Sequence, residues 1–240
     1  MARRARSRMV TVADAVAARY PDLDDAVAAV EAGDVLVDGK PVLNPRSRVA
    51  ESAAVVLRRG PRLRGSAKLD AALDTFAVRV DGRVALDCGA AAGGFTAVLL
   101  ARGARRVYAV DAGHGQLRGE LAQDPRVVNL ERTNVGDLTE ALVPDPVELV
   151  TLDLSYLSLT DAVPQLDRIR LEEHAELVAL VKPMFELALA EPPADRERLA
   201  SAVAAARDGV TRAGWQVVAD IESPTRGARG AVEFLLHARR

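Results

Sequence analysis

Short apolar segments alternate with segments of helical character from Arg83 onward, and this alternation restricts the fold more than any other feature. The apolar segments are RVALDCG, RRVYAVDA, ELVTLDLS and ELVALVKP, and helices are predicted after them at 93–102, about 117–123, 159–169 and 194–213. Two further strands, WQVVADIES and AVEFLLHAR, follow with no helix between them. Strands that alternate with helices pair in parallel, whereas two consecutive strands pair antiparallel. The sequence therefore predicts an α/β fold with a Rossmann-like, doubly wound sheet and an antiparallel pair at one edge.

The first 58 residues follow a different pattern. Two short alanine-rich helices are predicted at Val12–Arg19 and Leu23–Ala32. After them, the Asp38-Gly39 pair between apolar residues is typical of a tight turn that joins two strands. We therefore expect a small α+β domain at residues 1–58.

A breaker separates this module from the rest of the chain. Gly60-Pro61 interrupts helices and strands alike, and Ser66 is a suitable cap for a helix that runs to about Phe76. We expect a linker at 59–65 and a larger domain at 66–240.

Composition excludes several classes of protein. Hydrophobic residues make up 49% of the 240 residues, which is enough for a core, so a disordered chain is excluded. Cys88 is the only cysteine, so an intrachain disulfide and a cysteine-based zinc site have no support, and the cytoplasm is the expected compartment. No stretch approaches the roughly 18 apolar residues of a membrane helix, and we expect no membrane insertion.

The segment LDCGAAAGGFT occupies the first strand-to-helix turn of the predicted sheet. Its glycines let the backbone approach a ligand closely, and the helix beyond them offers free amide donors. An acid two residues before the first glycine and a later glycine pair are typical of methyltransferases that bind S-adenosylmethionine. The cofactor-binding residues predicted here are Asp87, Gly89, Ala90, Gly93, Gly94 and Phe95. A merely tight connection is the alternative interpretation.

Asp111 ends the next predicted strand, 24 residues after Asp87. A carboxylate at that strand end can accept hydrogen bonds from both ribose hydroxyls of a nucleoside ligand, so we expect Asp111 to bind the cofactor. After the third strand, Asn134 and Asp137 are candidates for contact with an adenine edge. A polar loop without contact to a ligand is an equally good interpretation for either residue.

Four polar residues lie at strand ends or on a helix, on the expected carboxyl side of the sheet: Lys68, Asp153, Lys182 and Glu233. Their order resembles the tetrad of FtsJ-like ribose 2′-O-methyltransferases. The motifs RGSAKL, DCGAAAGGFT, DAGHGQL, LERTN, DLSYLSL, VKPMFE and VEFLL resemble, in that order, those of the TlyA family of rRNA 2′-O-methyltransferases. The resemblance covers about Arg62–Arg239. The N-terminal module is similar to the small S4-like RNA-binding domain first described in a ribosomal protein.

This resemblance implies a class I methyltransferase fold, S-adenosylmethionine as cofactor and RNA, most of all rRNA or ribosomal subunits, as partner. Lysine is rare here, since 29 of the 32 basic residues are arginines, yet two of the three lysines take the tetrad positions. Guanidinium cannot lose its proton in a protein, whereas an ammonium can. We therefore expect Lys182 to accept or steer the proton of the ribose hydroxyl, with no metal required.

Basic residues near the N-terminus are candidates for contact with RNA phosphates, because residues 1–68 contain 13 Lys and Arg against 8 Asp and Glu. These candidates are Arg3, Arg4, Arg6, Arg58, Arg59, Arg62 and Arg64. A solvated tail is an equally good interpretation for the first three.

Two departures from the family pattern keep other functions open. LALAEPPADRERLA replaces the glycine- and lysine-containing loop that usually follows VKPxFE, and Asp24 and Asp25 stand where a phosphate-seeking cation is expected. A methyltransferase that acts on another RNA or on a small hydroxylated metabolite is therefore one alternative. A non-catalytic RNA-binding factor is another. Tyr156 and Phe185 flank the tetrad and suit either base stacking or, more often, core packing.

Overall fold

The computed structural model describes residues 8–21, 23, 25–31, 33–57, 63 and 65–240. The chain divides into two compact units, residues 1–64 and 65–240. The candidate catalytic residues all lie in the second unit, every residue of which is described.

The described residues of the first unit form two helices, α1 (Val12–Arg19) and α2 (Ala26–Glu31), and five short strands. The strands are β1 (Met9–Thr11), β2 (Val35–Val37), β3 (Lys40–Pro41), β4 (Arg48–Ala50) and β5 (Val55–Leu57). β1 pairs with β4, and β3, β2 and β5 form an antiparallel sheet in that order. Asp38 and Gly39 both have positive φ, as the predicted hairpin turn requires.

The second helix begins later than the sequence predicted. The side chain of Asp25 accepts hydrogen bonds from the backbone N–H of Val27 (2.8 Å) and Ala28 (3.0 Å), so it caps a helix that starts at Ala26 and not at Leu23. Asp24 lies outside the described residues.

The second unit consists of seven strands and six helices. The strands are β6 (Val84–Cys88), β7 (Arg106–Asp111), β8 (Val127–Glu131), β9 (Val147–Leu152), β10 (Leu171–Val181), β11 (Gln216–Glu222) and β12 (Phe234–Arg239). The helices are α3 (Ser66–Thr75), α4 (Gly94–Ala101), α5 (Gly119–Ala122), α6 (Leu159–Ala162), α7 (Pro183–Glu186) and α8 (Arg196–Arg212).

The strands form one sheet in the order β11-β12-β10-β9-β6-β7-β8. β6 to β10 are parallel, whereas β12 runs antiparallel to both of its neighbours. The predicted α/β sheet with an antiparallel strand pair is therefore confirmed. Chain order reverses between β6 and β9, and ligands of open α/β sheets bind beyond the carboxyl ends of the strands at such a reversal.

Alternate residues of the central strands enter two separate cores. In β6, Leu86 packs with α6 and α8 residues such as Leu159 and Val210. Its neighbour Ala85 packs instead with α3 and α4 residues such as Leu69 and Leu99. Because side chains alternate across a strand, helices cover both faces of the sheet, as expected for the doubly wound sheet that the alternation of strands and helices predicted.

Two predicted helices are shorter than expected. The segment 159–169 forms α6 followed by a 3₁₀ helix at Val163–Arg168, because Pro164 lacks the N–H that an α-helix would need. The segment predicted near 117–123 forms only the four residues of α5.

A buried ion cluster joins β10, β12 and the residue before β6 at the end of the sheet opposite the tetrad. Glu176 on β10 accepts hydrogen bonds from Arg83 (2.6 Å), His237 (3.0 Å) and Arg239 (3.2 Å). Burial alone would raise the pKa of Glu176, but these three partners together hold it below its ordinary value. The cluster fastens the amino end of the sheet.

In the described part of the chain, no helix is both long enough and apolar enough to span a bilayer.

Candidate active site

An ion pair lies at the carboxyl end of the parallel strands. Asp153 directly follows β9 and Lys182 directly follows β10, and the Lys182 Nζ lies 2.6 Å from the Asp153 Oδ1. The same amine donates a hydrogen bond to the Oγ of Ser155 over 2.8 Å. The side chains of Lys182 and Asp153 keep 14% and 24% of their surface exposed, so a substrate can reach them.

The other two tetrad residues form a second, more deeply buried pair. The Nζ of Lys68 on α3 lies 2.5 Å from the Oε2 of Glu233, and only 8% and 7% of these side chains are exposed. Strand register sets the two pairs side by side, because Val181 pairs with Phe234 and the next residues beyond that pair are Lys182 and Glu233. The structure therefore brings the four predicted residues together as two adjoining ion pairs.

A cavity of about 210 Å³ opens beside Asp153 at the point where chain order reverses. Its lining includes Gly89, Asp111, Gln116, Thr133, Asp153 and Tyr156. These residues follow the carboxyl ends of four parallel strands, where the fold predicts a ligand. Tyr156 is 46% exposed in this lining and is not part of the core.

Gly89 allows the turn after β6 to pass against the end of β9. Its φ is +88°, which favours glycine, and a Cβ at this position would overlap the backbone carbonyl oxygen of Asp153. Gly89 thus lies in the cavity wall and also sets the distance between the turn and the tetrad.

Asp111 accepts two backbone hydrogen bonds at the cavity. Its Oδ2 accepts from the N–H of Ala91 (2.9 Å) and its Oδ1 from the N–H of Gly113 (2.7 Å). An ionised carboxylate offers about four acceptor sites, so each oxygen retains capacity for a ribose hydroxyl. Binding of a ribose by Asp111 stays a prediction.

Asp87 lies beneath the glycine turn and not in the cavity lining. It is fully buried, and its two oxygens accept hydrogen bonds from the hydroxyls of Thr96 (2.6 Å) and Thr151 (2.9 Å). Burial raises its pKa to about 6, against the opposing effect of the two hydroxyls. Asp87 therefore ties the start of α4 to β9.

Asp87→Asn is expected to stabilise the protein at neutral pH. The folded-state pKa of about 6 lies above the ordinary 3.8, so the carboxyl contributes stability only below that range and loses it as pH rises through 6. Ionised Asp87 then costs on the order of 3 kcal/mol, and the amide avoids this cost. Its oxygen can accept from one threonine hydroxyl, and its NH₂ group can donate to the hydroxyl oxygen of the other. Urea unfolding should show a more stable variant at pH 7 and a shrinking difference toward pH 4. An equal difference at both pH values would contradict the assignment.

The other four residues of the glycine turn that the sequence predicted to bind the cofactor lie outside the cavity lining. Phe95 is buried in the core with α3 residues, and a Cβ on Gly93 would overlap Leu117 and Leu121. Ala90 is buried, and Gly94 is the first residue of α4. None of these four residues is in the cavity lining.

Asn134 and Asp137 are bonded to each other, since the Asn134 Nδ2 donates to the Asp137 Oδ2 over 3.0 Å. The cavity is lined instead by the neighbouring Thr133 and Val135. Their contacts in the structure are therefore those of a polar loop.

Glu131 at the end of β8 is a residue that the sequence reasoning missed. Its carboxylate accepts hydrogen bonds from the backbone N–H groups of Gly115 (2.7 Å), Gln116 (3.1 Å) and Leu117 (3.3 Å). These bonds, first of all that from Gly115, lower the pKa of Glu131. Glu131 therefore holds the loop that supplies Gln116 to the cavity, and its place at a strand end was the signal in the sequence.

Glu186 in the VKPMFE motif is a second residue without a predicted role. Its Oε1 accepts a hydrogen bond from the Leu159 N–H (2.7 Å), while its Oε2 is buried with no partner among the described residues. Burial raises its pKa to about 7. Because α7 begins directly after Lys182, this contact links the segment that carries Lys182 to the start of α6.

The seven arginines expected to contact RNA lie outside the described residues. Where the structure is described, no group of three or more His, Cys, Asp or Glu side chains could hold a metal ion.

Comparisons with known proteins agree with this site. A family model described as FtsJ-like methyltransferase matches residues 61–240. The 16S/23S rRNA (cytidine-2′-O)-methyltransferase TlyA of Mycobacterium tuberculosis (strain H37Rv) is 40% identical over 88% of this chain and 81% of that protein. Hemolysin A of Brachyspira hyodysenteriae is 31% identical over 86% of this chain and 89% of that protein.

A solved structure has the same fold. A Streptococcus thermophilus protein described as a hemolysin superposes with a TM-score of 0.73 at 29% identity, over 98% of this chain and 90% of that one. The family resemblance of the motifs is therefore confirmed. The methyltransferase family model covers the whole seven-stranded sheet and all four tetrad residues. This chain therefore belongs to the FtsJ-like methyltransferase family.

Proposed function

We propose that this protein is an S-adenosylmethionine-dependent methyltransferase that modifies the 2′-hydroxyl of a ribose in ribosomal RNA. The observation that carries the proposal is the Lys182–Asp153 ion pair at the edge of the cavity where chain order reverses. A general base must lie within hydrogen-bond reach of the hydroxyl it serves, and this amine is the accessible one of the two tetrad lysines.

The cavity suits a nucleoside cofactor. Gly89 removes side-chain bulk from one wall, and Asp111 retains acceptor capacity on both oxygens, so these residues would hold S-adenosylmethionine with Gln116 and Thr133 nearby. When bound, S-adenosylmethionine supplies an electrophilic methyl group on a sulfonium.

The chain's own chemistry is the orientation of the hydroxyl and removal of its proton. The Lys182 Nζ receives the proton of the 2′-hydroxyl, and Asp153 stabilises the ammonium that results. Lys68 and Glu233 are each other's buried partners and set the position of the neighbouring strand ends. Such proton transfer is typically worth about 10² to 10⁴ in rate, and alignment of the reactants supplies the rest.

The choice of ribosomal RNA rests on the names of the relatives. TlyA of Mycobacterium tuberculosis is an rRNA cytidine-2′-O-methyltransferase at 40% identity. Residues 1–58 form the RNA-binding domain of this proposal, joined by the linker 59–65 to the catalytic domain 66–240, and the arginines of the tail and linker contact phosphates. An enzyme with this substrate acts in the cytoplasm.

The test is transfer of a labelled methyl group to purified ribosomal subunits, followed by mass-spectrometric mapping of ribose methylation in cells with and without the gene. We expect at least one 2′-O-methyl group that depends on the gene. Transfer to a small hydroxylated metabolite but not to any RNA would show that the proposed substrate is wrong and that the proposed methyl-transfer reaction is right. Absence of transfer to any acceptor, despite tight cofactor binding, would refute the enzyme.

A further inference from the structure

We propose that Ser155 is a positioning residue that holds the Lys182 amine toward the cavity during methyl transfer. This inference rests on the proposed function, because it assigns a role to Ser155 through Lys182. It goes beyond the four tetrad residues, since Ser155 carries no charge and lies between Asp153 and Tyr156 in the cavity lining.

The first argument is the number of hydrogen bonds that the amine makes. The lysine amine that accepts a proton is the neutral form, which has two N–H donors and one lone pair. The two N–H groups are directed at Asp153 Oδ1 (2.6 Å) and Ser155 Oγ (2.8 Å), and both acceptors belong to the connection that follows β9. With both donors fixed, the lone pair of Nζ remains for the proton of the substrate hydroxyl.

The second argument is the location of the two acceptors. Lys182 is not in the cavity lining, yet Asp153 and Ser155 both are. The two contacts therefore hold Nζ at the cavity edge. Without the hydroxyl, one carboxylate contact would remain, and rotation about that contact would carry the free position of Nζ away from the cavity.

The third argument is that Ser155 has no competing structural task. Its Oγ accepts from Lys182, and its hydroxyl proton has no acceptor in the described part of the chain. Nearby Ser158 differs, because its hydroxyl donates to the Asp161 carboxylate (2.7 Å) and accepts from the Asp161 N–H (3.1 Å), and so caps α6. A comparison of variants at the two serines therefore distinguishes the loss of a positioning hydroxyl from the loss of a helix cap.

The kinetic test compares Ser155→Ala and Ser155→Thr with Ser158→Ala in single-turnover methyl transfer to ribosomal subunits. A misplaced base slows the chemical step, so Ser155→Ala should lower the rate at saturating substrates by about 10- to 100-fold. The Kd for the cofactor should stay within about twofold of the parent value, because the substitution is expected to affect the transition state and not the binding of the cofactor. Ser155→Thr, which keeps the hydroxyl, should recover most of the rate. Ser158→Ala should lower Tm and leave the rate near that of the parent protein.

A second measurement does not depend on activity. The chain has three lysines, Lys40, Lys68 and Lys182, so [ε-¹³C]lysine labelling gives three NMR signals. Ser155→Ala should move the Lys182 signal and leave the other two in place. A Lys182 signal that stays unmoved, or a Ser155→Ala variant with an unchanged rate, would overturn the inference. If the parent protein methylates no RNA, the proposed function fails, while the NMR result still decides whether Ser155 holds Lys182.

Discussion

Lys182→Arg is expected to abolish most methyl transfer while the protein still folds and binds its cofactor. Arginine retains the positive charge and can keep an ion pair with Asp153, but a guanidinium cannot accept a proton in a protein. The rate of transfer should therefore fall by about 10²- to 10⁴-fold, the usual contribution of a general base. Single-turnover assays with labelled cofactor measure the rate, and calorimetric titration measures the cofactor Kd.

Lys40→Arg is the matched control. Lys40 is exposed on β3 in the first unit, so the same chemical change there tests whether loss of any lysine affects the assay. The control should retain the parent rate. Equal rates for Lys182→Arg and the parent would show that positive charge alone suffices at this position, and the proton-acceptor role would be rejected.

Gly89→Ala is expected to cause the largest loss of stability of any single methyl addition described above. Alanine at φ +88° is strained by about 1–2 kcal/mol, and overlap with the Asp153 carbonyl adds about 1–3 kcal/mol. A total near 3 kcal/mol corresponds to a fall in Tm of roughly 10 °C for a domain of this size. Relief of the overlap moves the turn away from Asp153, so the folded fraction should also bind cofactor weakly. Thermal unfolding and calorimetric titration measure the two effects.

Gly82→Ala separates strain from overlap. Gly82 has a similar φ of +75°, but a Cβ there would meet no atom within 4 Å. This control should cost about 1 kcal/mol and leave cofactor affinity unchanged. If both variants lose the same stability and both bind cofactor, the close approach of the turn to β9 has no role in the site.

Most of the fold could be predicted because the central strands are buried on both faces. β6, β7, β9 and the second half of β10 are mostly apolar and buried, and the helical segments between the strands show a different period. The errors occurred where a single side chain decides the local structure. Asp25 moves the start of α2, and Pro164 ends α6. Pairing of β1 with β4 was missed because both are three-residue strands that lack alternation.

The sequence indicated which charged residues of the candidate site lie together in the structure. It gave less indication of the neutral residues beside them. The four tetrad residues could be chosen because their order matches a family motif, and the structure pairs Lys182 with Asp153 and Lys68 with Glu233. The sequence carries no information on which lysine is the more exposed, since that depends on how α3 packs against the sheet. Ser155 was missed for a similar reason, because a single serine in a bend has no periodic or charge signal.

The antiparallel direction of β12 has a consequence for the order of folding. β12 is the last of the seven strands along the chain, yet it inserts between β10 and β11, and Glu233 immediately precedes it. The Lys68–Glu233 contact joins residues 165 positions apart, and contacts of such separation form late. Until β12 pairs with β10, Lys68 on α3 therefore lacks its buried carboxylate partner. All four tetrad residues are therefore in place only once the last strand has joined the sheet.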